Sequence, residues 1–92
     1  MEREIFAKAE FSAVSGQEKY TATLELVPSG CFPYGNKHAL IFRRYMDGLE
    51  IGGTCFDVRY DQRFNTAETF NKYALDVVKA QFRDDFTIER IG

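Results

Sequence analysis

Hydrophobic and polar positions alternate strictly along the first part of the chain. In "EIFAKAEFSAV", Ile5, Ala7, Ala9 and Phe11 fall on one side and Glu4, Lys8, Glu10 and Ser12 on the other. A period of two is the signature of a strand with one buried face. After the turn "SGQE", "KYTATLELV" repeats the pattern, with Tyr20, Ala22, Leu24 and Leu26 inward and Lys19, Thr21, Thr23 and Glu25 outward. The two segments read as a β-hairpin.

The next pair, "HALIFRRYM" and "LEIGGTCFDVRY", is joined by Asp47-Gly48, a two-residue turn signal because a type I′ turn needs positive φ at both centres. Counting back from that turn sets Leu40 opposite Cys55 and Ala39 opposite Phe56, so the apolar faces do not match. One extra residue at Gly52-Gly53, a β-bulge, slips the register and restores the match. Leu40 and Phe42 then share a face with Phe56 and Val58. Ile41, Arg43, Tyr45, Cys55, Asp57 and Arg59 share the other.

"FNTAETFNKYALDVVKAQF" has helical periodicity, with Ala67, Phe70, Tyr73, Ala74, Val77 and Gln81 on one side. Asn65 and Glu68 are spaced as a capping box, which satisfies backbone N–H groups that the first turn leaves open. The expected helix runs near Thr66 to Phe82. "FTIERI" supplies a last short strand. The order β-β-β-β-α-β predicts an α+β fold: an antiparallel sheet of about five strands with one helix packed on one face.

Length changes this picture little. Ninety-two residues make a single domain, 1–92, with one modest core. The 45% hydrophobic and 28% charged composition is that of an ordinary globular protein, and the start "MEREIF" has neither the basic run nor the apolar stretch of a signal peptide. With two cysteines and no membrane-length apolar run, the chain reads as a soluble cytoplasmic protein with reduced thiols.

Net charge is −2, which argues against coating nucleic acid by bulk attraction. The stretch from Lys37 to Arg63 alone is net positive, with five bases against four acids.

Candidate chemistry is sparse. Cys31, Cys55 and His38 are the whole Cys and His supply, too few for a structural zinc site. "DVRYDQR" interleaves its acids with arginines, a poor arrangement for a divalent cation. Cys31 with His38 can be written as nucleophile and base, but the spacing carries no nucleophile signature. Gly52 to Thr54 lies inside a strand and does not make a phosphate cradle. The reading is therefore non-enzymatic, with no catalytic residues, metal, cofactor or small-molecule substrate.

What remains is a surface. One helix covers one face of a sheet, so the other is either wet or used. Period two sends Asp57, Arg59, Asp61 and Arg63 to that face while the strand lasts, beside Arg43, Tyr45 and Ile41. Arg and Tyr dominate binding hot spots. In the connection "SGCFPYGNKHA", Pro33 stiffens the chain, and Phe32 and Tyr34 either cover a core edge or are presented to a partner. The partner-binding set is Arg43, Tyr45, Asp57, Arg59, Arg63, Phe32 and Tyr34. Arg43 and Arg59 are expected to matter for binding and little for stability; Arg44, on the helix side, is expected to behave in the reverse way.

A short acidic domain with an Arg/Tyr sheet face, one helix and no catalytic set resembles the small phage anti-CRISPR proteins, and more narrowly an inhibitor of the type I-F RNA-guided surveillance complex. The resemblance spans the whole chain. It implies stoichiometric inhibition: docking on Cas subunits in the host cell cytoplasm, with guide RNA contacts as a further option, and blocked hybridisation of target DNA. The alternative from the residues themselves is a nucleic-acid-binding or regulatory module using the same Arg/Tyr face.

Overall fold

The computed structural model describes residues 5, 7–27, 39–58 and 60–92. The chain forms β1 (Ala7–Ser15), β2 (Glu18–Val27), β3 (Ala39–Met46), β4 (Leu49–Asp57), a 3-10 turn (Gln62–Phe64), α1 (Ala67–Lys79) and β5 (Thr87–Arg90). All pairings are antiparallel, and the sheet order is β4-β3-β2-β1-β5. The β-β-β-β-α-β order read from the periodicities is the observed one.

Each early strand pair follows from its alternation. Phe11 faces Ala22 and Ala9 faces Leu24 across β1 and β2, so the apolar sets of both strands fall on one side. Asp47 and Gly48 have φ of 52° and 79°. These values suit a two-residue type I′ connection.

The bulge is present. Tyr45 pairs with Glu50, but Arg44 pairs with Gly52, leaving Ile51 as the extra residue. It lies one position before the glycine pair, and beyond it Leu40 faces Phe56 as the hydrophobic match requires.

The two glycines then differ. A Cβ at Gly53 would sit 2.7 Å from the Phe42 carbonyl oxygen, whereas one at Gly52 would meet nothing within 4 Å. Gly53→Ala should cost about 1–3 kcal/mol, because the rigid ladder must shift to admit the methyl. Gly52→Ala should be neutral within ~0.5 kcal/mol. Urea melts of the two variants check this.

The helix differs from expectation at both ends and in its facing. Thr66 is the N-cap, its hydroxyl accepting from the Thr69 N–H at 3.1 Å while the Thr66 N–H donates to Thr69 Oγ1 at 3.3 Å. The box is Thr66/Thr69, one position after the Asn65/Glu68 pairing suggested by residue type; threonine at the third helical position performs the role of glutamate. The helix ends at Lys79, earlier than Phe82. Its buried stripe is Phe70, Ala74 and Val78, continued by Phe82, while Ala67 is exposed.

The helix lies over β1, β2 and β5. Phe70, Phe11 and Leu24 meet in the core without solvent exposure. Phe64, from the 3-10 turn, is also buried and stands edge-on to Tyr73 at 6.3 Å. Offset from the middle, α1 leaves a cavity of about 360 Å³ between its C-terminal half and the β3–β4 side, floored by Phe56, Val58 and Val77 with Arg63 and Asp76 at the rim.

Two carboxylates fasten the connections around this core. Asp85 accepts from the Ser15 hydroxyl at 2.5 Å, which, ahead of Arg83, holds its carboxyl below the usual range. Asp61 is held down first by hydrogen bonds from the Arg63 side chain. A depressed carboxylate stabilises the fold above its unfolded pKa, and that contribution is lost as pH falls through the depressed value. Melting temperature should therefore decline on the acid side of the ordinary carboxylate range. Asp85→Asn should flatten that decline in a pH series of melts.

Candidate interaction face

The sheet surface away from α1 is assembled by register. Thr21, Thr23 and Glu25 of β2 stand opposite Tyr45, Arg43 and Ile41 of β3. Ile41 and Arg43 in turn stand opposite Cys55 and Gly53 of β4, and Tyr45 opposite Glu50. The bulged register thus brings Arg43, Tyr45, Cys55 and Asp57 to one face, as expected from the sequence. Asp57 ends β4 and is exposed.

Arg43 is not a free cation there. Its guanidinium hydrogen-bonds the Glu25 carboxylate and lies 3.6 Å from that of Glu50. Glu25 is only 7% exposed. A carboxylate so far out of water needs its counter-charge, and removing that partner leaves an uncompensated charge. The expectation that Arg43 is dispensable for stability is corrected: it bridges β2, β3 and β4.

Ile41 is likewise not open surface. With Val27 and Ala39 it forms a second buried cluster on this side of the sheet.

Arg63 and Asp61 do not join the face. The strand stops at Asp57, so the period-two reading of "DVRYDQR" fails beyond it. Asp61 instead caps the 3-10 turn, accepting from the Arg63 backbone N–H at 3.0 Å and from its side chain at 2.7 Å. The Arg63 guanidinium lies 5.1 Å from the Phe64 ring centroid and 5.8 Å from that of Tyr73. It belongs to the entry of the helix, a correction to its placement on the sheet face. Arg59, Phe32 and Tyr34 lie outside the described residues, as do Cys31 and His38.

Arg44 points to the helix side, as expected. It donates to the Gln81 carbonyl at 2.7 Å, just beyond the end of α1, and stacks 4.3 Å from the Phe82 ring and 5.6 Å from Tyr20. Phe82, Phe86 and Tyr20 form one aromatic group beneath it. This group was not visible as a unit in the sequence, because its members come from β2 and from the turn after α1.

Taken together, the described arginines are all engaged within the chain. Arg43 and Arg63 hold carboxylates, Arg44 a carbonyl, Arg83 the carboxylates of Glu18 and Asp85, and Arg90 the Gly92 carbonyl. Cys55 is disulfide-bonded, which corrects the expectation of reduced thiols at this position. Among the described residues no group of three or more His, Cys, Asp or Glu side chains could hold a metal ion. No helix among them is long and apolar enough to cross a membrane.

No protein family matches the chain, and neither a curated protein nor a solved structure matches it.

Proposed function

We propose that the protein is a non-enzymatic binding protein that docks through the sheet face opposite α1, and that its partner is the Cas assembly of an RNA-guided surveillance complex, whose pairing with target DNA it blocks. The observation that supports this reading is the face itself. It presents Tyr45 beside a pre-set Glu25–Arg43–Glu50 cluster on three adjacent strands. A rigid side-chain array of this kind carries little ordering cost on binding, and its mixed charge suits a protein surface better than a phosphate backbone.

The same cluster weighs against the nucleic-acid-binding alternative. A protein that grips phosphates must offer cations to them, and binding then falls steeply with salt. Here the described arginines already have partners inside the chain.

The reading is tested by adding the protein to purified type I-F surveillance complex before labelled target DNA, with free DNA and free guide RNA tested for direct binding. Loss of target hybridisation at stoichiometric protein, with no retention of either free nucleic acid, is the expected result. Salt-sensitive binding to free DNA or RNA, with hybridisation unaffected, would move the function to the alternative.

A further inference from the structure

We infer that the recess beside Arg44, on the helix side of the sheet, is a binding site for a carboxylate group. The inference does not rest on the inhibitor reading, which concerns the other face. The recess holds about 390 Å³; Tyr20, Phe82 and Phe86 give it an aromatic lining, and Arg44, Arg83 and Glu18 give it its charges. Every hydrogen bond, ion pair and ring contact of these six residues lies among the described residues.

The charges do not balance. Arg83 and Glu18 neutralise each other as an ion pair, and the Tyr20 hydroxyl donates to the other Glu18 oxygen at 3.3 Å. Arg44 makes no ion pair among the described residues, whereas Arg43, Arg63 and Arg83 each hold a carboxylate. Arg90 is also bonded to a carbonyl alone, but it is exposed to water. Arg44 is half-buried and lies over the Phe82 and Tyr20 rings. A partly desolvated cation is stabilised by a counter-ion, and the Gln81 carbonyl at the end of α1 offers only a partial charge. The counter-ion comes from outside the chain.

Geometry narrows its class. A guanidinium carries a fork of N–H donors, and the bond from Arg44 Nη2 to the Gln81 carbonyl uses one of them. The rest of the fork matches the two oxygens of a planar carboxylate. Two guanidinium groups and one carboxylate leave the recess with one positive charge, which suits a singly charged ligand. A phosphate brings more charge and would meet Glu18 as a repelling neighbour. The half-buried Tyr20 and Phe86 rings can pack against the ligand's apolar body.

Two sources carry this chemistry: a free small carboxylic acid and the acidic side chain of a partner protein. Nitrogen-labelled full-length protein is titrated with benzoate, with an acetylated and amidated glutamate, and with inorganic phosphate, following the Arg44 Nε–H and the backbone amides of Tyr20 and Phe82 by NMR. Saturable shifts with a carboxylate are expected, and tighter binding of benzoate names the free acid, tighter binding of the capped glutamate the protein side chain. Arg44→Gln should weaken the binding by about 10-fold or more. Glu18→Gln, at an exposed position, should tighten it by about 3-fold or more, because it removes the opposing charge, and this arm decides if Arg44→Gln does not fold. Arg90→Gln, outside the recess, should leave it unchanged. The inference is overturned if neither carboxylate saturates, if phosphate binds as tightly as the better one, if folded Arg44→Gln keeps wild-type affinity, or if Glu18→Gln fails to tighten binding.

Discussion

Phe70→Asp should leave the chain unfolded in buffer. Phe70 has no solvent exposure and sits where α1 meets the sheet. Truncating a buried phenylalanine alone costs about 3–5 kcal/mol through lost transfer energy and a residual cavity. The carboxylate adds the cost of a charge with no counter-ion in the core. A domain has only about 5–15 kcal/mol to lose. Far-UV dichroism should show the collapse of both strand and helix signals. Ala67→Asp is the matched control: the same substitution, in the first turn of the same helix, at an exposed position where an acid favours the helix dipole. It should melt at or slightly above the wild-type temperature.

Arg44→Glu should be the most damaging of the single-charge changes on the sheet. It removes a charge-assisted bond to the Gln81 carbonyl and the stacking on Phe82 and Tyr20, and sets a carboxylate against the negative end of α1. Charged hydrogen bonds contribute about 1.5–3 kcal/mol and a partly desolvated cation–π contact about 1 kcal/mol. A loss of about 3 kcal/mol corresponds to a fall in melting temperature of roughly 10–20 °C for a chain of this size. Arg44→Lys should fall between, since it keeps the charge but not the planar stack. Wild-type melting of Arg44→Glu would show that the guanidinium is not seated on the aromatic group.

These two positions also mark what could be read from the sequence. Strand alternation, the Asp47-Gly48 turn and the mismatch it creates were enough to require a bulge in β4, though it falls at Ile51 and not at the glycine pair, and to put Arg43 and Arg44 on opposite faces, because a one-residue slip in a period-two pattern moves every side chain. The helix stripe was less legible: Val77 and Val78 are equally hydrophobic, and only the seating of α1 over β1, β2 and β5 shows that Val78 is the buried one. Phe64, Phe82 and Phe86 lie in turns, where no periodicity announces burial. The role of Glu25 was hidden because a glutamate at an outward position reads as solvated, and only the cross-strand register shows Arg43 beside it. The strand pattern of "DVRYDQR" misled past Asp57 because Asp61 bonds its own neighbourhood and starts a 3-10 turn, a local competition that alternation does not reveal.

The face opposite α1 is the centre of the functional account, and Thr21 is the position from which to probe it. It is exposed, lies on that face between Ser12 and Tyr45, and has no part in the Glu25–Arg43–Glu50 cluster. Thr21→Arg should therefore keep the wild-type melting temperature while its side chain obstructs close approach to Tyr45. The decisive measurement is target-DNA hybridisation by the purified surveillance complex, titrated in parallel with wild-type protein and with Thr21→Arg. Inhibition by the wild type at stoichiometric concentration, lost in the folded variant, is the result the account predicts. Equal inhibition by both proteins, or none by either, would contradict it.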